Sequence, residues 1–372
     1  MKFTVKGITF SKEDLDTIPL ADLKVNGISP AHLFIFIKDK PFLMLRAGDL
    51  ITQEFIEKYQ SKGLSSFYNL PILNKERYDD FVNQLRKIKS FKQRIDRRKC
   101  IQNIYQCFAF SYWLESKDSF LNYAMATYDV FYDLPQDVIG ELQAKSQTLY
   151  ARALLSSAIV IMNAFVDDID DFQYLKDLYN TAFLMDVGLI QNGDFNFLMS
   201  KACEFERNHP GTGLSWLKSH PNNTYESDIF YKHPQASYAV AQKYQARFSY
   251  PETLEYILYH HEKTDGSGFP AGISFSGLAY NEVYLMLADY MVPFGEHVFH
   301  LGDGTKIIKS AFEDLINIED LYLLPIAHLI ERWKKIMNWY TAIEDQEAVE
   351  TISDGVSEDN PDNEETEIGE AS

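Results

Sequence analysis

Cysteine is scarce in this chain, with three residues in 372, Cys100, Cys107 and Cys203. They are too few for a disulfide framework and too far apart for a metal knuckle. The spacing of Cys100 and Cys107 places both on one helix face, expected to be buried. Long hydrophobic runs are missing as well. The start, MKFTVKGITF, has no apolar core of a signal peptide. The stretch LLSSAIVIMNAFV is shorter than a membrane span and runs into DDIDD. These absences point to a soluble, cytoplasmic protein without a membrane partner. Positive charge is outnumbered, with 35 Lys and Arg against 54 Asp and Glu and a net charge of -19. Duplex DNA is therefore not an expected partner, because non-specific binding needs clustered cations that displace counterions. From Glu344 to the end there is no Lys or Arg and no aromatic residue, but there are twelve acidic residues. That segment reads as a solvated, disordered tail. No repeat of fixed period is visible.

What is present is apolar and aromatic: 46% hydrophobic residues, including 26 Phe and 23 Tyr. The chain can therefore bury real cores. The expected fold is mainly α, a C-terminal helical bundle preceded by a small α+β domain. Four regions are expected. Residues 1–72 form the mixed domain, with HLFIFI and PFLMLR as a hairpin around KDKP. ITQEFIEKYQSKG follows as a helix with Gly63 as its C-terminal cap, and LSSFYNLPI as a returning strand. Nothing there clusters titratable groups, so its expected role is regulatory or dimerising, and a homodimer is left open. Residues 73–140 form a helical linker. Its basic stretch RKIKSFKQRIDRRK places Ile88, Phe91 and Ile95 on one stripe, as in a solvated amphipathic helix. Residues 141–340 are helical and hold most of the histidines, and 341–372 form the acidic tail.

The chemistry lies in YHHEKTDGSGFP, residues 259–270. The preceding ETLEYILYHHE has helical spacing, so His260 and His261 should stand at a helix C-terminus. Neighbouring helical side chains diverge by about 100°. The pair can therefore serve two metals, or one metal and a phosphate. DGSGFP is a turn whose glycines allow positive φ and close backbone approach. Metal-assisted phosphoester hydrolysis uses such histidine and carboxylate donors, brought together from several helices of a bundle.

HHEKTDGSGFP resembles the signature of the HD-GYP family, HHExxDGxGYP, with Phe269 in place of the tyrosine. LADYMVPF resembles that family's segment with a downstream metal-binding Asp, here Asp289, and FYKHPQASYAVAQKY its helix with a ligand histidine, here His233. The likeness runs over about residues 150–300 and does not include residues 1–72. It implies an all-helical phosphodiesterase domain that acts on cyclic di-GMP through two or three metal ions. It also implies a loop of Asp265, Gly266, Gly268, Phe269 and Pro270 that contacts GGDEF-type cyclic di-GMP synthase domains.

The departures concern the metals. Where the family reads LLHDIGK this chain reads FLMDVGL, keeping Asp186 but placing Met185 at the histidine and Leu189 at the lysine. The family's upstream Glu and His have no counterpart between Leu149 and Ile161, and PFGEHVFH lacks the family's phosphate-holding arginine. On the resemblance, Asp186, His233, His260 and His261 complete one metal site, while a second keeps only Asp186 and Asp289. Thioether sulfur is a poor ligand for Fe, Mn or Zn, so Met185 does not fill the gap. The expected protein is a cyclic di-GMP sensor or interaction module with weak or no hydrolysis. It would hold fewer divalent ions than active relatives, down to none. The alternative is an active phosphodiesterase with substituted ligands. Several readings stay open: His209 in ERNHPGTG competes with His233, Asp186 can simply cap a helix, and His297 and His300 can replace missing donors. VDDIDD reads as a solvated loop and GDGT at 302–305 as a turn.

Overall fold

The computed structural model describes residues 2–5, 8–25, 27–71, 75–107, 117–190, 224–262, 266, 268–274, 280–292, 329 and 331–333. Among them the chain is mostly helical, with a small sheet region near the N-terminus.

Strand β1 (Lys2–Val5) pairs antiparallel with β2 (Ile8–Ser11). A second, fully antiparallel sheet has the order β3-β6-β4-β5, formed by β3 (Asp16–Pro19), β4 (Ala31–Ile37), β5 (Lys40–Leu45) and β6 (Ser66–Pro71). The expected hairpin is β4-β5. Its turn is Lys38-Asp39, both at positive φ (49° and 61°), the geometry of a two-residue turn that follows the strands' twist. Helix α1 (Gln53–Gln60) starts at Thr52, whose hydroxyl accepts from Phe55 N–H at 3.0 Å. Gly63, at φ 73°, lies just past its end. One sheet face packs on α1 through Phe55 and Tyr59 around Phe67, at ring separations of 5.4 and 5.2 Å. The other face meets the β1-β2 hairpin through Phe3–Phe36 and Phe10–Phe34.

Helix α2 (Lys75–Ser90) buries Phe81, Val82, Leu85 and Ile88. The basic stretch does not continue as one helix. α2 ends at Ser90 and α3 (Arg94–Cys107) starts after a break, so the expected stripe is split, with Ile88 buried but Phe91 and Ile95 exposed. Its charges are partly neutralised: Arg94 and Arg97 pair with Asp170, and Arg98 with Asp168. The DDIDD loop is thus an ion-paired connection rather than merely a solvated one. Cys100 is buried, whereas the side chain of Cys107 and all of Cys203 fall outside the described residues.

The bundle continues with α4 (Lys117–Phe131), α5 (Gln136–Lys145), α6 (Gln147–Val166), α7 (Phe172–Leu184), α8 (Thr224–Ala241) and α9 (Val283–Met291). Helix α6 packs against α4, α5, α7 and α9. It is longer than the apolar run alone suggests: Leu149–Val166 has the length and hydropathy of a membrane span, yet the whole window is buried inside the protein. A helix apolar all round needs cover on every side, and its neighbours provide it. Tyr150 on α6 also ties the two regions together, donating to the Gly48 carbonyl at 2.6 Å.

Candidate metal centre

Four elements build the site: α6, the end of α7 with a 3₁₀ turn (Val187–Ile190), α8, and a 3₁₀ helix (Pro251–Tyr259). α9 closes it with Asp289. The histidine pair is carried by a 3₁₀ segment and not an α-helix, with His260 as its C-cap and His261 following.

Gly188 sets the approach of α8. A Cβ there would lie 2.4 Å from the His233 carbonyl oxygen and 2.6 Å from the Ser237 nitrogen. Its own N–H donates to Ser237 Oγ at 2.8 Å. Only glycine lets the two backbones meet this closely, which brings His233 beside Asp186.

The ring hydrogen bonds fix what the imidazoles offer. His233 Nδ1 faces the Phe230 carbonyl, and His260 Nδ1 faces that of Ile257 at 2.7 Å. A carbonyl only accepts, so each Nδ1 carries the proton and each Nε2 presents a lone pair. Those two Nε2 atoms lie 3.2 Å apart, and Asp186 Oδ1 is 3.5 and 3.6 Å from them. Three electron-rich atoms thus converge with no proton between them. Donors about 2.1 Å from a common tetrahedral centre lie about 3.4 Å from one another, so these spacings suit a divalent ion. His261 Nδ1 donates to Asp289 Oδ2 at 3.3 Å, leaving its Nε2 for the same purpose. Asp186 Oδ1 and His261 Nε2 are both buried without a hydrogen-bond partner, an expensive state that a cation would relieve. Asp186, His233, His260 and His261 can each offer one atom within 4.8 Å of the others. Together they could hold a metal ion.

Burial keeps the imidazoles neutral. It holds His233 and His260 below the ordinary histidine range and pushes His261 down to about 3. Neutral imidazole is the ligating form. For Asp289, burial alone would raise the carboxyl, but His261 and Arg152 outweigh it and hold it below the usual range. With His261 neutral near pH 7, Arg152 carries the compensating charge.

Arg152 is the residue that sequence reasoning missed. It stands on α6, fully buried, and its guanidinium is used on three sides. Nε donates to the Val292 carbonyl at 3.0 Å, one terminal nitrogen pairs with Asp186, and the other pairs with Asp289 Oδ1. The available signal was charge: within Leu149–Val166 it is the only Asp, Glu, Lys or Arg.

The other expected residues divide as follows. Asp186 does not act as a side-chain helix cap; its carboxylate lies between Arg152 and the imidazoles. Asp289 stands beside His261 and shares Arg152 with Asp186. Met185 and Leu189 are buried core residues. The loop that the resemblance implies as a contact for synthase domains is turned inward at its aromatic residue. Phe269 is buried, stacks on His261 at 4.6 Å and packs on Tyr231 and Phe230, because a large ring gains more from burial than from solvent. Buried Glu262 clamps the loop by accepting from the N–H groups of Ala271 and Ile273 at 2.7 and 2.8 Å. Gly266 and Gly272, both at positive φ, cross closely, and Pro270 is half-buried. Asp265, His209, His297, His300, residues 302–305 and the acidic tail lie outside the described residues.

No protein-family model matches this chain, and no curated protein matches it. Among solved structures there is a match to the HDG"Y"P protein Bd1817 from Bdellovibrio bacteriovorus. It has 18% sequence identity and covers 86% of this chain and 99% of that one, at a TM-score of 0.34. So loose a superposition carries neither a family nor a function, and the site stands on its own geometry.

Proposed function

We propose that this protein is a cyclic di-GMP signalling module of the HD-GYP type that binds one divalent ion and does not hydrolyse the nucleotide efficiently. The observation that carries the reading is the convergence of two imidazole lone pairs and one carboxylate oxygen at 3.2–3.6 Å, with His261 as the fourth donor. The cyclic di-GMP assignment draws on the HHEKTDGSGFP string, and the site supports it by holding those histidines in a buried cluster. An ion bound there supplies positive charge toward a phosphate. Asp186 and the three histidines would hold it, Asp289 orients His261, and Phe269 stacks over the His261 ring. A two-ion clamp stabilises both the attacking and the leaving oxygen of an in-line displacement, so a single ion would supply less of that stabilisation. A synthase-type partner docking on the loop would meet the exposed Ala271 and Gly272 rather than Phe269.

The test combines metal analysis, calorimetric titration with cyclic di-GMP and a turnover assay on the full chain. One ion, measurable binding and negligible turnover support the sensor. Hydrolysis that disappears in His261→Ala would instead establish a phosphodiesterase, and absence of both metal and nucleotide binding would overturn the proposal.

A further inference from the structure

We propose that Arg152 is a built-in cation that takes the place of a second metal ion between Asp186 and Asp289. The inference deepens the one-ion reading above. Two carboxylates facing each other in a buried site need positive charge between them, because like charges at short range repel strongly where water is excluded. A divalent ion can supply it, and here the guanidinium does. Its planar fork matches two separate carboxylates, one at each terminal nitrogen, while Nε is anchored on the Val292 carbonyl at 3.0 Å. The side chain is fully buried and comes from the second turn of a helix that is otherwise free of charge and whose apolar window is wholly buried. Arginine keeps its proton at every physiological pH, so this cation cannot be titrated away or removed by a chelator.

The two aspartates are thereby divided. Asp186 gives one oxygen to Arg152 and turns the other toward His233 and His260. Asp289 gives one oxygen to Arg152 and the other to His261. Both Asp289 oxygens are thus engaged and the charge between the aspartates is already supplied, so on this proposal Arg152 limits the site to a single metal and holds its donors in position.

The experiment is metal counting by plasma mass spectrometry on the full chain after equilibration with manganese, for the wild type, Arg152→Gln and Arg152→Lys. Arg152→Gln is expected to bind one ion more per chain than the wild type, and Arg152→Lys, which keeps the charge, the same number as the wild type. An unchanged count in Arg152→Gln overturns the proposal. So does a gain in both variants, since space rather than charge would then set the number. If Arg152→Gln is recovered only as aggregate, refolding with and without manganese decides: recovery only with manganese supports the proposal, and equal yields overturn it. The result is a difference between variants. A metal-free wild type would defeat the one-ion reading while leaving the role of Arg152 to be judged by the gain.

Discussion

The two ends of Asp186 show contrasting solutions to one problem. Toward His233 and His260 the protein sets lone pairs against a carboxylate oxygen, and among the described residues no cation pairs with that oxygen. Toward Asp289 it provides the cation as Arg152. The first arrangement is relieved by a bound ion, and the second is complete as folded. On the proposal above, one side chain on a central helix brings a permanent charge to a place between two carboxylates where an ion could otherwise sit.

Removing that charge should have the largest effect on the contrast. Arg152→Leu leaves Asp186 and Asp289 opposed without a counter-ion, and breaking such a buried network costs about 3–5 kcal/mol. Urea unfolding of the metal-free protein should show that loss. Gly188→Ala should follow at about 1–3 kcal/mol, since the added methyl meets backbone rather than a yielding side chain. It should also weaken manganese binding by moving His233 away from Asp186, which titration calorimetry would detect.

His260→Ala acts on the other side alone. It should weaken manganese binding by at least about ten-fold, as even supporting residues of a metal site do. The metal-free protein should lose less stability than in Arg152→Leu, because a facing pair of lone pairs is relieved. The smallest effect is expected for Glu262→Gln, roughly 1 kcal/mol from weakened bonds to Ala271 and Ile273. Hydrogen exchange should report it as faster opening at those two amides, with the ion count unchanged.

Much of this was readable from local patterns. KDKP marked the hairpin as a polar break between two short apolar strands, and the helix before Gly63 followed from its spacing and cap. The histidine string indicated a metal cluster because its donor types carry the chemistry, whereas Asp186 was legible only through the resemblance of FLMDVGL to the HD-GYP segment. Other features depended on partners distant in the chain. Arg152 meets residues 34 and 137 positions away, so no local period reveals its role. Ile88, Phe91 and Ile95 share a stripe only if the helix continues, and the break after Ser90 separates them. The inward turn of Phe269 depends on Phe230 and Tyr231 of another helix.

Anomalous scattering from a manganese-soaked crystal of the wild-type chain tests the central claim most directly. The expected map has one manganese peak, among Asp186, His233, His260 and His261, with the guanidinium of Arg152 between Asp186 and Asp289. A second peak between those two aspartates, with Arg152 displaced, would contradict it.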